Sequence, residues 1–362
     1  MSETVQCPGR FFLWGYTARG VVGYQRDLCR PREGWYTYIL KSGPGTGKDR
    51  LLARLRQRAE GQEEGVQAMV CPADPSVLDG LWMPGRRCCV LDGTAPRRLE
   101  PRYWDVTERL LHLGQTVDSA ALRACAKPVL DATDACLAAQ QAQCRLLHGA
   151  AGLKQEIARL AAPCIDTDKV LCAAERLAER EMPPAGPPER EQRRFLSAVT
   201  PQGVLIFYDT LQALCPRVYV IEDDYGPVAA LLLARLRLRA LAAGQPVITC
   251  RCPLHPCGAP EHLLLPAAGV AFTTSNRWHK ADFPVYRRIH AARFLDAEAL
   301  RRHRQKISFL RRAGQEVLDQ AVGQAGLALQ AQREVERYVA AAVDRRGEEA
   351  LLARLLEEIV CR

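Results

Sequence analysis

The sequence predicts an α/β protein of two tandem domains with parallel sheets, each domain followed by a helical extension. Three observations carry that prediction: a repeat with a period of about 180 residues, apolar strand-like runs that alternate with helical patterns, and an alanine- and leucine-rich segment closing each half.

The repeat is read from ordered matches. Phe12-Leu13, Thr17 and Gly20-Val21 recur as Phe195-Leu196, Thr200 and Gly203-Val204, 183 positions on. Leu51-Leu52-Ala53-Arg54-Leu55-Arg56 returns as Leu232-Leu233-Ala234-Arg235-Leu236-Arg237, and Cys71-Pro72 as Cys252-Pro253, both 181 positions on. So long a period indicates a duplicated domain rather than a solenoid. The proline-rich stretch Met182 to Glu189 reads as the linker, placing domains at 1–181 and 191–362 around a segment at 182–190.

Within each half the same elements follow one another. An apolar strand (Tyr36 to Leu40; Val218 to Ile221) leads through a loop to a leucine-spaced helix. A second strand (Val66 to Cys71; Pro246 to Cys250) and a third apolar run (Cys88 to Leu91; Val270 to Phe272) come next. Strands alternating with helices imply parallel pairing through crossovers. Residues 106–181 and 296–360, rich in Ala, Leu, Arg and Glu, predict helical hairpins or bundles.

Composition bounds the function. A chain of 362 residues with 48% apolar residues buries a sizeable core. The net charge of +9, from 50 basic and 41 acidic residues, is too dilute to point to nucleic acid. No basic-then-apolar leader begins the chain, so its 15 cysteines are expected to be reduced in a cytoplasmic protein, with Cys88 and Cys89 acting as small buried hydrophobes. No apolar stretch approaches the roughly 20 residues that span a bilayer, which argues against a membrane partner.

The chemistry concentrates between the first strand and its helix, in Lys41-Ser42-Gly43-Pro44-Gly45-Thr46-Gly47-Lys48-Asp49. Gly43, Gly45 and Gly47, with Pro44 and Thr46 between them, let successive N–H groups turn toward phosphate oxygens at a helix N-terminus. Lys48 supplies the charge for the β and γ phosphates. The pattern is nearly a Walker A loop, with two departures. Ser42 replaces a glycine, and Asp49 replaces the hydroxyl residue that ligates Mg²⁺, leaving slow or absent hydrolysis open. Asp92, ending the third apolar run, sits where a Walker B carboxylate orients Mg²⁺. Gly93 follows it, where many ATPases carry a glutamate. Asp74 and Asp79 are read as turn formers, with a base or metal role as the alternative.

The second half carries Glu222-Asp223-Asp224-Tyr225-Gly226 in the corresponding stretch. At the 181 offset Lys48 falls on Ala229 and Gly43 on Asp224, and with one insertion Asp92 falls on Thr274. Acidic side chains there would repel phosphates, so one nucleotide site per chain is expected.

With these motifs the chain resembles a family of bacterial tandem P-loop proteins, generally described as ATPases or nucleotide kinases. The resemblance rests on Phe11-Phe12, Thr17 and Gly20, on Ile39 through Lys48, on Ser76 through Gly80 with Pro84, and on Val90-Leu91-Asp92-Gly93-Thr94-Ala95-Pro96. Arg194-Phe195-Leu196, Thr200-Pro201 and Gly203 extend it into the second half. It implies P-loop NTPase-type domains and ATP binding by Gly43 to Asp49; the residues themselves are read as placing Mg²⁺ at Asp92 and Asp49 and catalysis on Lys48 and Asp92. Family members carry both loops intact, so this chain reads as divergent. A weak ATPase or phosphoryl-transfer enzyme is the leading expectation; a non-catalytic nucleotide switch or scaffold and a small-molecule kinase are the alternatives. Two weaker patterns remain. Cys250, Cys252, His255, Cys257 and His262 include zinc-ligand types in irregular spacing, and Arg287-Arg288, Arg293, Arg301-Arg302, Arg304, Lys306 and Arg311-Arg312 form a basic run that reads as a solvated helix face.

Overall fold

Residues 9–186 and 191–361 are described by the computed structural model of the chain. Part of the linker at 182–190, namely 187–190, therefore lies outside the described residues, as do the first eight residues and the last.

In the first half, strands β1 (Gly9–Phe11), β2 (Trp14–Thr17) and β3 (Gly20–Gly23) precede helix α1 (Gln25–Leu28). Strand β4 (Tyr36–Lys41) then leads through the glycine loop to α2 (Lys48–Glu60), followed by β5 (Gln67–Val70), β6 (Leu78–Met83), β7 (Cys88–Asp92) and β8 (Glu108–His112). Helices α3 (Ser119–Ala124), α4 (Ala126–Ala161) and α5 (Thr167–Glu181) close the half. The second half repeats the series element for element: β9 (Gln192–Arg194), β10 (Ser197–Thr200), β11 (Gly203–Ile206), α6 (Tyr208–Leu214), β12 (Arg217–Glu222), α7 (Pro227–Ala242), β13 (Ile248–Arg251), β14 (Pro260–Leu265), β15 (Val270–Ser275), β16 (Arg287–His290), α8 (Ala297–Arg301), α9 (Arg304–Ala341) and α10 (Arg345–Val360).

Each half builds a six-stranded sheet, in the orders β1-β5-β6-β7-β4-β8 and β16-β12-β15-β14-β13-β9. These sheets are mixed, which corrects the all-parallel expectation. β4 runs parallel to β7 and β8, but β6 runs antiparallel to both β5 and β7, and β14 repeats this in the second sheet. The reason is connection length: only short turns join β5, β6 and β7, and a short turn reverses the chain where a parallel return needs a crossover. The three strand positions read from apolar runs are β4, β5 and β7 and their counterparts. The pairs β2–β3 and β10–β11 form small separate hairpins.

The duplication is visible in the contacts themselves. Phe12 and Phe195 occupy the same repeat position and bond to each other, N to O, at 2.9 and 2.8 Å. A pseudo-twofold axis therefore passes between them, through a core of Phe11, Phe12, Leu13, Phe195, Leu196 and Phe207. The long helices α4 and α9 obey the same axis. Ala132 of α4 meets Val335 and Val339 of α9, while Ile157 and Leu160 meet Ile307 and Leu310, so they lie antiparallel. Small residues along the seam, such as Ala150, Ala151 and Ala321, let the backbones approach.

The shorter helices cross over. α5 of the first half packs Val170, Ala174 and Leu177 against Leu232, Leu233 and Leu236 of α7. Reciprocally, α10 of the second half packs Leu351, Leu352 and Leu355 against Leu51, Leu52 and Leu55 of α2. Four aspartates start the helices of these extensions. The carboxylates of Asp118, Asp166, Asp296 and Asp344 accept from first-turn amides of α3, α5, α8 and α10, a side-chain cap in each case. No described helix is long and apolar enough to cross a membrane.

Candidate functional site

β4 and β7 are adjacent and parallel, with Leu40 opposite Asp92, so the loop leaving β4 and the carboxylate ending β7 emerge side by side. Gly45 and Gly47 take φ of +76° and +84°, left-handed values that an L side chain rarely adopts. Gly47 caps α2, and Lys48 and Asp49 are the first two residues of that helix. Thr46 is buried, and its Oγ1 donates to the Gly43 carbonyl at 2.8 Å and lies 2.7 Å from Ser42 Oγ, closing the loop on itself. Gly43 and Asp49 are exposed at its rim. The backbone amides of Gly45 to Asp49 donate to no described residue.

Lys48 and Asp92, paired only by analogy in the sequence, are in direct contact. Lys48 Nζ lies 2.8 Å from Asp92 Oδ2 and 3.1 Å from Thr94 Oγ1, and the Thr94 amide donates to Asp92 Oδ1 at 2.8 Å. The Ser42 amide also reaches Thr94 Oγ1, at 3.4 Å. Gly93 is required sterically, because a Cβ there would stand 2.7 Å from the Leu99 carbonyl oxygen. A glutamate after Asp92 is therefore excluded by packing.

Two residues that matter were not singled out as partners from the sequence. Arg97 pairs with Asp92 and, at 3.3 Å, with Asp79, and its guanidinium lies over the Trp14 ring at 4.9 Å. Trp14 Nε1 donates to Asp79 Oδ2 at 2.5 Å. Asp79 is thus no turn former: it lies on β6, buried, as one side of a Trp14–Asp79–Arg97–Asp92 network. Asp74 does form a turn, accepting from the Ser76 amide at 3.0 Å. Burial pushes the Asp92 carboxyl up, but the Arg97 and Lys48 charges outweigh it and hold it down at about 2. Burial and the nearby Asp92 charge raise Asp79 despite Arg97. Only β6 pairing with β7 brings this arginine and two carboxylates together, and no spacing motif announces it.

Beside the network opens a cavity of about 460 Å³, lined by Tyr16, Lys48, Asp49, Asp92, Arg97 and Leu137 among others, and roofed by α4 and α9. The second half of the chain also reaches the loop. α10 presents buried Glu348 to Arg50 and Arg345, against the outer face of Gly47.

The second loop is built differently. Asp223–Gly226 joins β12 to α7 where Ser42–Gly47 joins β4 to α2; the 181 offset holds for strand and helix body alike, and the loop is two residues shorter because α7 begins at Pro227, the position of Thr46, two residues ahead of the start of α2. Buried Asp223 accepts from the amides of Tyr225 at 3.0 Å, Gly226 at 2.9 Å and Ala229 at 2.9 Å. Its carboxylate satisfies the helix-end donors that a phosphate would otherwise meet. Asp224 pairs with Arg277 at 3.1 Å and Glu222 with Arg288 at 2.8 Å. Thr274 lies opposite Ile221, as Asp92 lies opposite Leu40, so the Asp92 carboxylate has no counterpart in the second half.

The weaker patterns disperse. Cys250 is buried in the core, Cys252 lies 3.5 Å from Lys154 Nζ, Cys257 sits beside Arg19, and His262 Nδ1 bonds Thr273 Oγ1 at 2.7 Å. Among the described residues no three His, Cys, Asp or Glu side chains gather as a metal cluster. In the basic run, Arg288 pairs with Glu222, Lys306 with Glu156 at 2.6 Å, and Arg311 bonds the Asp224 carbonyl at 3.0 Å. No family model, no curated protein and no solved structure matches this chain.

Proposed function

We propose that the first half is a P-loop NTPase-type domain that binds ATP with Mg²⁺ through Gly43 to Asp49, and that it transfers or slowly hydrolyses the terminal phosphoryl group. The observation that carries this reading is the contrast between two loops of common origin: one has its helix-end amides filled by Asp223, the other keeps them open beside a lysine and a carboxylate. Open donors at a helix N-terminus fit a polyphosphate, and the resemblance to tandem P-loop proteins points the same way.

In this reading the amides of Gly45 to Asp49 and the Lys48 ammonium hold phosphate oxygens, so Lys48 exchanges its contact with Asp92 for one with the nucleotide. Asp92, freed on that side, and Asp49, at the rim, are the residues that would hold Mg²⁺, which when bound neutralises charge on the β and γ phosphates. The 460 Å³ cavity beside Lys48 favours transfer to a second molecule over hydrolysis alone. A non-catalytic switch is the second reading. It is favoured by Arg97, which competes with any cation for Asp92, and by Gly93, where packing excludes a water-positioning glutamate.

Titration with ATP in Mg²⁺ or in EDTA tests the proposal, repeated on Asp92→Asn. Binding should be tighter with Mg²⁺, and the substitution should erase most of that difference while leaving binding in EDTA nearly unchanged. Equal losses in both conditions would remove the metal role from Asp92.

A further inference from the structure

Averaged over the chain, a net charge of +9 is dilute, but it is not spread evenly. Residues 277–312 hold eleven basic and three acidic side chains, which accounts for eight of the nine charges. The duplication shows that the fold does not require this. Asp118 caps α3 and Asp296 caps α8, and α4 and α9 each begin eight residues after that aspartate, so the two segments align at an offset of 178. Residues 118–134 contain two basic and three acidic side chains, whereas residues 296–312 contain six basic and two acidic. Phe309 and Arg312 stand where the first half has Asp131 and Asp134. The same pair of helices forms with either surface, so folding does not account for the arginines.

Arg301, Arg302, Arg304 and Arg312 are exposed and form no ion pair among the described residues, while Lys306 meets Glu156, which exposed Arg159 also shares. Lys306, Phe309 and Arg312 recur every three residues and therefore share one face of α9, where Phe309 is 60% exposed. Arginine forks fit phosphate, and an exposed ring between two cations offers an unpaired base a face to stack on. A duplex would leave that ring unused. A lipid surface needs a broad apolar face, whereas the exposed α9 neighbours of Phe309 are Gln305, Ser308, Arg312 and Glu316. We infer that the start of α9, with the α8 turn before it, binds single-stranded nucleic acid, Arg301, Arg302, Arg304 and Arg312 meeting phosphates and Phe309 stacking on a base. The inference stands apart from nucleotide binding at the glycine loop.

Fluorescence anisotropy of the full chain tests it, with labelled oligothymidylate and oligouridylate of about 20 nucleotides, long enough to cover such a site, against a duplex of similar length, polyglutamate and phosphatidylserine vesicles. At least one single strand should bind saturably and more tightly than any of the other three. Raising NaCl from about 50 to about 200 mM should weaken that binding roughly 50-fold, as the release of counterions from four phosphates requires. Phe309→Ala should cost about tenfold with the salt dependence unchanged, because a ring is lost and no charge. Joint Arg302→Gln and Arg304→Gln substitution should weaken binding and about halve its logarithmic salt slope. Lys127→Gln, in the twin segment, should change neither. All these positions are exposed, so thermal unfolding should stay as in the wild type. Failure of both single strands to bind, tighter binding of duplex, polyglutamate or vesicles, or indifference to Phe309→Ala would overturn the inference.

Discussion

Arg97 holds together what would otherwise be two buried carboxylates a short distance apart. Asp79 is raised by burial and by Asp92, Asp92 is held at about 2, and both face one guanidinium. Removing one partner of a buried ion network leaves uncompensated charge, so Arg97→Met should destabilise the chain by about 3–5 kcal/mol in urea unfolding near neutral pH. The sign of the pH dependence follows from Asp92. Its folded value lies below the ordinary 3.8, so the stability it contributes is present above about pH 4 and lost as pH falls through about 2. Wild type and variant should therefore converge on acidification, and a constant gap down to pH 2 would count against the network. At this scale the place of the loop between β4 and α2 and of Asp92 at the end of β7 was legible, because a contiguous glycine run and an apolar run ending in a carboxylate mark both positions. Arg97 and Asp79 were not, since their partnership exists only once β6 pairs with β7.

The two strand-to-helix loops hold the same place in each half but satisfy their helix-end amides differently. Asp223 takes over the capping that a phosphate would provide, with three amides on one carboxylate. Asp223→Ala should cost about 1–3 kcal/mol, because those donors lose their acceptor next to a buried helix start. Thermal unfolding would check this, and a cost near zero would mean that the amides find another partner unaided. The strands β4, β5 and β7 could be read from apolar runs, whereas β6 and β8 could not. β6 begins in Leu78-Asp79-Gly80, residues that resemble a turn until the sheet buries them, and β8, Glu-Arg-Leu-Leu-His at the sheet edge, carries only two apolar residues, side by side. The first expected helical extension, at 106–181, began too early for the same reason, since β8 occupies its start, whereas the one at 296–360 coincides with α8 to α10.

Over the whole molecule, each half completes the other. α10 belongs by sequence to the second half but covers α2 beside the glycine loop, and α5 covers α7 in return. A repeat read along the chain reveals that two domains exist, but the amphipathic face of α10 suits either copy of the same leucine surface, so the exchange was not legible. Ending the chain at Asp344 should raise amide hydrogen exchange in α2 and β4 while leaving α7 and β12 protected. Equal protection in both halves would show that α10 contributes nothing to the first domain.

The central claim is that one loop of the pair binds a nucleotide and its twin cannot. Calorimetric titration of the full chain with ATP in excess Mg²⁺ measures this directly as a stoichiometry. The account predicts a value near one per chain, with the heat lost in Lys48→Ala and retained in Asp223→Ala. A value near two, or binding that survives Lys48→Ala, would contradict it.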